Sequence, residues 1–213
     1  MIFKQLKTLF YLLLPLLGAG VVGVSCSESE EENTEYENWQ QRNETFFASL
    51  EDSLNSNPNM WMKFKSYTKD TAMNTGMQTD FIYAKKVITG YEQPKDTLRP
   101  LFNDSVRVSY RGRLIPSASY AEGYTFDSTV FGTYNLKTNS TARFKVSGLV
   151  DGFATALLHM TRFDTWRVYI PWKLGYGSTT SNSIPAYSTL IFDLTLYDFA
   201  AEGKTLPTQV SVK

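Results

Sequence analysis

Apolar and polar residues alternate in several short stretches of the second half of the chain. From Val106 to Leu114, the apolar Val106, Val108, Tyr110 and Leu114 are interleaved with Arg107, Ser109, Arg111 and Arg113, the period of two expected of a strand with one buried face. Similar alternation recurs in Phe144/Val146, Trp166/Val168/Ile170 and Leu190/Phe192/Leu194/Leu196. These segments predict an antiparallel sheet. One helical pattern interrupts them: Phe153, Ala156, Leu157 and Met160 fall at i, i+3, i+4 and i+7, an apolar stripe suited to the concave face of that sheet. The expected fold class is α+β, a sheet wrapped around one short helix.

A further helical pattern precedes the sheet. From Glu37 to Leu54 the residues Trp39, Phe46, Phe47, Leu50 and Leu54 fall near one face, and Asn55-Ser-Asn-Pro58 stops the helix. A single helix of this length is marginal alone, so it must pack on the domain, on a second copy or on a partner. Residues 59–80 show no clear period, and the domain is expected to run from 81 to 200, followed by a tail over 201–213.

Residues 1–25 have the character of an export signal: Lys4 and Lys7 precede an apolar run from Thr8 to Val24, interrupted by Pro15 and ending in small residues. The run is a little short for a span of about 20 apolar residues; an uncleaved membrane anchor is the alternative. Cys26, the sole cysteine, follows Gly23-Val24-Ser25 and cannot form an internal disulfide. Its setting resembles the lipobox of bacterial lipoproteins, in which this cysteine carries the lipid, although Gly23 stands where a branched apolar residue is usual. Ser27-Glu28-Ser29-Glu30-Glu31-Glu32 then begins an acidic tether over 26–36, similar to tracts that send lipoproteins to the cell surface; a solvated spacer is the other reading. Both readings put an acidic leash between lipid and fold.

Composition removes several kinds of chemistry. The 213 residues are 42% hydrophobic and 15% aromatic, enough for a core. Basic and acidic residues balance at 21 each, so no broad positive field points to nucleic acid. With one histidine, His159, and one cysteine, no zinc ligand cluster is available and a Ser/His/Asp triad would have to use His159, which sits off the apolar stripe of its helix. No phosphate-cradling glycine loop is present. Asp127 and Asp151 are the candidate carboxylate pair for glycoside hydrolysis, with solvated loop aspartates as the commoner explanation. No metal and no cofactor is expected.

Seven short signatures follow one another in order: Val106-Arg-Val-Ser-Tyr110, Phe126-Asp127, Gly148-Leu-Val-Asp-Gly-Phe153, Ile170-Pro171, Leu174-Gly-Tyr176-Gly177, Ile184-Pro185 and Leu190-Ile-Phe192. Each alone could be core. Their order and spacing resemble the FKBP type of peptidyl-prolyl cis-trans isomerase, from about Phe81 to Phe199. The resemblance implies an FKBP-like sheet and a pocket for proline-containing polypeptides. It implies that Phe153 floors the pocket, with Tyr110, Phe126 and Phe192 as walls. It implies that the Val150 N–H binds a ligand carbonyl, that Leu149 and Ile184 contact substrate, and that Tyr176 and Asp127 supply polar contacts. Asp127, Tyr176, Phe126 and Phe153 are thus the expected catalytic residues.

The same chain departs from the family pattern. Phe153 stands where tryptophan is usual, Ala142 near a usual aromatic wall, Phe163 in place of a turn glycine, and Pro185-Ala186 in place of a double proline. The stretches 115–122 and 130–141 are longer than common, and no arginine aligns to pair with Asp127. The function expected is a lipid-anchored isomerase assisting the folding of exported proteins, at the bacterial outer membrane and either periplasmic or surface-exposed. A non-catalytic binding or chaperone module on the same fold is the rival.

Overall fold

The computed structural model describes residues 34–69, 72, 76–87 and 97–207. The segment expected to be an export signal, Cys26 and most of the expected acidic tether lie outside the described residues, as does the end of the tail. Seven strands form one antiparallel sheet: β1 Trp61–Lys65, β2 Phe81–Lys86, β3 Ser105–Arg113, β4 Thr125–Ser128, β5 Ala142–Lys145, β6 Thr165–Ile170 and β7 Leu190–Ala200. The order is β1-β2-β6-β7-β3-β4, with β5 also paired to β3. Because β7 occupies one side of β3, β4 and β5 share the other. They pair with Arg111–Arg113 and with Ser105–Val108 respectively, and the enlarged stretch 130–141 leaves the sheet between them.

Helix α2, Asp151–His159, fills the concave face. Its first turn carries Asp151, favourable at the positive end of the helix dipole, and Gly152–Leu157 are all buried. Gly152 is required by packing: a Cβ there would lie 2.3 Å from Ile170 Cγ2. Phe64 of β1 stacks on His159 at 4.2 Å and on Trp166 at 5.6 Å. His159 is half-buried and its Nδ1 lies 2.9 Å from the Thr155 carbonyl. At the helix's N-terminal end, Thr68 Oγ1 donates to Asp151 Oδ2 at 2.9 Å and the Tyr67 hydroxyl to Asp151 Oδ1 at 3.4 Å. Asp151 is therefore a structural carboxylate, and it does not line the pocket that Asp127 lines.

The segment 59–80, which shows no period in the sequence, supplies β1 and extends the sheet. Helix α1, Trp39–Ser56, resolves the three-way choice of partner by packing on the domain's convex face. Phe47 meets Tyr83 edge-on at 5.3 Å and Phe46 meets Tyr169 at 6.1 Å. Asn43, fully buried, donates through Nδ2 to the Trp39 carbonyl and accepts through Oδ1 from Thr189 N–H, both at 2.7 Å.

The expectation of one solvated sheet face needs correction. Arg107, Ser109 and Arg113 of β3 are buried along with their apolar neighbours. The enlarged stretch 130–141 covers this half of the convex face: Tyr134 bonds Thr195, and the Tyr197 hydroxyl donates to the Leu136 carbonyl at 2.7 Å. Arg113 Nη2 is held at 2.7 Å from Asp193 Oδ2, and Arg107 donates to the carbonyl of Pro207 in the tail. Alternation marked the apolar side correctly; the polar side is covered because its charges find partners.

Candidate functional site

The concave face leaves a hollow of about 380 Å³ between the helix, the β3–β4 corner and the loop before β7. Residue i and i+2 of a strand share a face, so Tyr110 and Gly112 of β3 both face it, as does Phe192, the register partner of Gly112 on β7. A Cβ on Gly112 would lie 2.7 Å from the rings of both Phe126 and Phe192. The absence of a side chain at 112 is what lets those rings approach one another, at 5.6 Å and 87°.

Phe126 and Asp127 are consecutive and would point to opposite faces of a regular strand, yet both line the hollow. The register explains it: Gly112 pairs with Asp127 but Arg113 pairs with Thr125, so Phe126 is the extra residue of a β-bulge. A bulge bends its strand and re-aims side chains.

Phe153, from the first turn of α2, is 4% exposed. Phe192 stands edge-on to it at 4.9 Å and Tyr110 at 6.1 Å. Edge-to-face packing of this kind adds to area burial and restrains ring tilt. The Tyr110 hydroxyl donates to Asp127 Oδ2 at 2.6 Å, and no ion pair of Asp127 occurs among the described residues. A phenol thus takes the place of the missing arginine. Burial, then the bond to Asp127 and its charge, push the Tyr110 phenol far above its ordinary range; it remains a donor.

Tyr176 sits at the rim, 41% exposed. The 3-10 turn Trp172–Leu174 ends in Gly175 and Gly177, whose N–H groups both donate to the Trp172 carbonyl, at 3.1 and 2.9 Å. Gly177 has φ +77°, the left-handed conformation that glycine adopts without strain. Leu174 anchors the turn in the core, and burial followed by the Asp127 charge raises the Tyr176 phenol. On the opposite rim Ser181 and Ile184 form a tight bridge, each N–H donating to the other's carbonyl at 2.9–3.0 Å. Val150 precedes α2 in extended conformation, and its N–H has no partner among the described residues.

All nine residues expected from the sequence, Tyr110, Phe126, Asp127, Leu149, Val150, Phe153, Tyr176, Ile184 and Phe192, line this one hollow. Sequence reasoning missed Gly112, Phe144 and the Ser181–Ser183 rim. A glycine inside a strand pattern signals close approach, which would have found Gly112. Phe144 lies two residues beyond Ala142 on the same face of β5 and meets Tyr110 at 5.9 Å. The aromatic wall absent at 142 is supplied there. Phe163 keeps the backbone of the glycine it replaces, with φ 69°.

A family model described as FKBP-type peptidyl-prolyl cis-trans isomerase matches residues 98–197. The FKBP-type 22 kDa peptidyl-prolyl cis-trans isomerase of Escherichia coli strain K12 is 36% identical over 100 residues, 46% of this chain and 43% of that protein. The outer membrane protein MIP of Legionella longbeachae is 35% identical over 99 residues, 46% of this chain and 37% of that protein. The chain thus spans less than half the length of these curated relatives. The crystal structure of FkpA from Escherichia coli shares the fold, with a TM-score of 0.51 at 21% identity over 78% of this chain and 62% of that one. Every residue lining the hollow falls inside the matched segment, and over residues 98–197 the chain is similar to FKBP-type peptidyl-prolyl cis-trans isomerases.

Proposed function

We propose that this pocket catalyses cis–trans isomerisation of X-Pro bonds in exported polypeptides, and that the chain is held at the bacterial envelope by lipid on Cys26. The observation that carries the first part is the aromatic box, with Phe153 as floor and Tyr110 and Phe192 edge-on around it. The uncatalysed rotation faces a barrier of roughly 18–20 kcal/mol because it breaks amide resonance. Seating the proline ring on Phe153 strips water from the amide and removes hydrogen bonds that favour its planar form. Each tenfold acceleration needs about 1.4 kcal/mol of preference for the twisted state.

In this reading the Val150 N–H takes the carbonyl of a neighbouring residue, and the Tyr176 hydroxyl reaches the substrate from the rim. Asp127, oriented by Tyr110, faces the carbonyl carbon as rotation moves charge off its oxygen. No group needs to gain or lose a proton, which accords with two tyrosines that both stay protonated. The anchoring part rests on the setting of Cys26 and on relatives such as the Legionella outer membrane protein.

The isomerase reading is checked by NMR exchange spectroscopy on an X-Pro peptide, with protein at a hundredth of the peptide concentration. Faster cis–trans exchange is expected, and an unchanged rate rejects the enzyme in favour of a binding module. For the anchor, detergent-phase partitioning should be lost in Cys26→Ala; equal partitioning of both chains refutes it.

A further inference from the structure

Beside the pocket lies a second, more open hollow of about 470 Å³, lined by Tyr36, Tyr124, Thr180, Asn182, Ser183 and Pro185. The two are neighbours, with Asn182 and Ser183 lining both. Segments far apart in sequence build the new one. Tyr36 comes from the turn before α1, Tyr124 from the end of the enlarged loop before β4, and the rest from the pocket's own rim.

Each part is fastened. Tyr36 packs edge-on against Trp39 at 5.0 Å, and Tyr124 against Tyr120 at 5.1 Å. The Glu35 carboxylate accepts from the Ser119 hydroxyl at 2.6 Å and from its N–H at 3.2 Å, tying the enlarged loop to the N-terminal segment. Trp39 Nε1–H donates to Ser188 Oγ at 2.8 Å, and that hydroxyl donates to the Pro185 carbonyl at 2.6 Å, so the same segment also grips the rim.

We propose that this hollow is a second subsite for the same polypeptide, holding an aromatic or proline side chain a few residues from the isomerised proline. The inference rests on the polypeptide-isomerase reading of the first pocket. A chain whose proline lies on Phe153 and that leaves the pocket over Asn182 and Ser183 meets the hollow that Tyr36 and Tyr124 line. The lining carries no charged side chain, so an uncharged occupant fits, and the two phenol rings with Pro185 favour a flat or cyclic one. Aromatic contacts of this kind change affinity about three- to tenfold.

The test uses the full chain in detergent and fluorescein-labelled eleven-residue peptides, read by anisotropy. One peptide has a central Ala-Pro in polyalanine; the others carry one tyrosine, scanned two to four residues to each side. At one or two positions the tyrosine should tighten binding about three- to tenfold. Thr180→Trp, an exposed-loop change that fills the hollow, should erase the gain; Tyr36→Ala should reduce it and Tyr36→Phe preserve it. No gain at any position, or a gain that survives both Thr180→Trp and Tyr36→Ala, overturns the proposal. So does a dimer, seen by sedimentation, that Thr180→Trp converts to monomer, because a second copy would then be the occupant. Exchange spectroscopy on the same peptides separates the two readings. Tyrosine-dependent binding without faster exchange refutes catalysis and keeps the subsite, whereas faster exchange without tyrosine dependence does the reverse.

Discussion

Replacing Gly112 by alanine would place one methyl group between two rings that wall the pocket. Its Cβ would lie 2.7 Å from Phe126 Cε2 and Cζ and 2.7 Å from Phe192 Cε1. Carbon atoms rest at about 3.5–4.0 Å, so the rings must retreat by about 0.8 Å or more. Phe192 is 5% exposed and wedged against Phe153 at 4.9 Å and Tyr110 at 6.1 Å. Phe126, half-buried on the bulge, is the ring that yields. Overpacking of this kind costs about 1–3 kcal/mol. The smaller conformational freedom of alanine in the unfolded chain returns about 0.4–1 kcal/mol, because Gly112 does not use the left-handed region. The net expectation is a loss of up to about 2.6 kcal/mol in urea denaturation. Turnover should fall further, since a displacement approaching 1 Å at a binding wall can cost about a hundredfold. Adding Phe126→Leu makes room for the methyl group and should recover stability while turnover stays low, because the wall ring is gone. Parental turnover in Gly112→Ala, with a stability loss under about 0.3 kcal/mol, would refute the argument that this glycine sets the width of the pocket.

Asp127→Ala and Tyr176→Phe should each lower turnover, about tenfold for a hydrogen bond to a charged group, with near-UV circular dichroism unchanged; full turnover in both would remove these residues from the mechanism. Asn43→Ala strands the buried Thr189 N–H and should cost about 1–3 kcal/mol, with faster amide exchange at Thr189 than at Leu194 as the readout. For pH, the raised Tyr110 phenol means that the unfolded chain loses this proton first as pH climbs past about 10. Stability should then fall by about 1.4 kcal/mol per pH unit for this group, and the slope above pH 10 should become shallower by that amount in Tyr110→Phe. An identical slope in both proteins contradicts the raised phenol.

The strands that could be read from the sequence are those whose two faces differ chemically. In β3, β6 and β7 the concave side takes Val, Leu, Ile and aromatic residues, and alternation follows. Strand β1 was invisible because neither of its faces is polar in the ordinary sense. Trp61 stacks on Tyr169 across the convex face, while Phe64 stacks on His159 and Trp166 across the concave one. Its lysines lay their charges over rings, Lys63 at 4.7 Å from Phe81 and 5.4 Å from Tyr83. A strand covered on both sides by aromatic rings has no period to detect. The packing of α1 could not be read for a different reason: its amphipathic face specifies that something covers it, and only the sheet's tyrosines say what.

The nine pocket residues were legible through ordered motifs, yet the geometry that unites them depends on residues those motifs leave out. Asp127 joins Phe126 in the pocket only because the bulge breaks the alternation of β4. Its carboxylate is oriented by Tyr110, a residue expected from the sequence as a wall of the pocket. The missing ring at Ala142 reappears at Phe144, which pairs with Val106 whereas Ala142 pairs with Val108. Since Asp127 pairs with Gly112, the move carries the ring two residues away from the carboxylate, about 6.6 Å along the strand. The Phe144 ring still meets Tyr110, at 5.9 Å. The altered positions are therefore coupled. The floor at Phe153 and the ring of Phe144 both pack against Tyr110, at 6.1 and 5.9 Å. Substitutions at 142, 144 and 153 should accordingly be read together, because each changes the space that the other two fill.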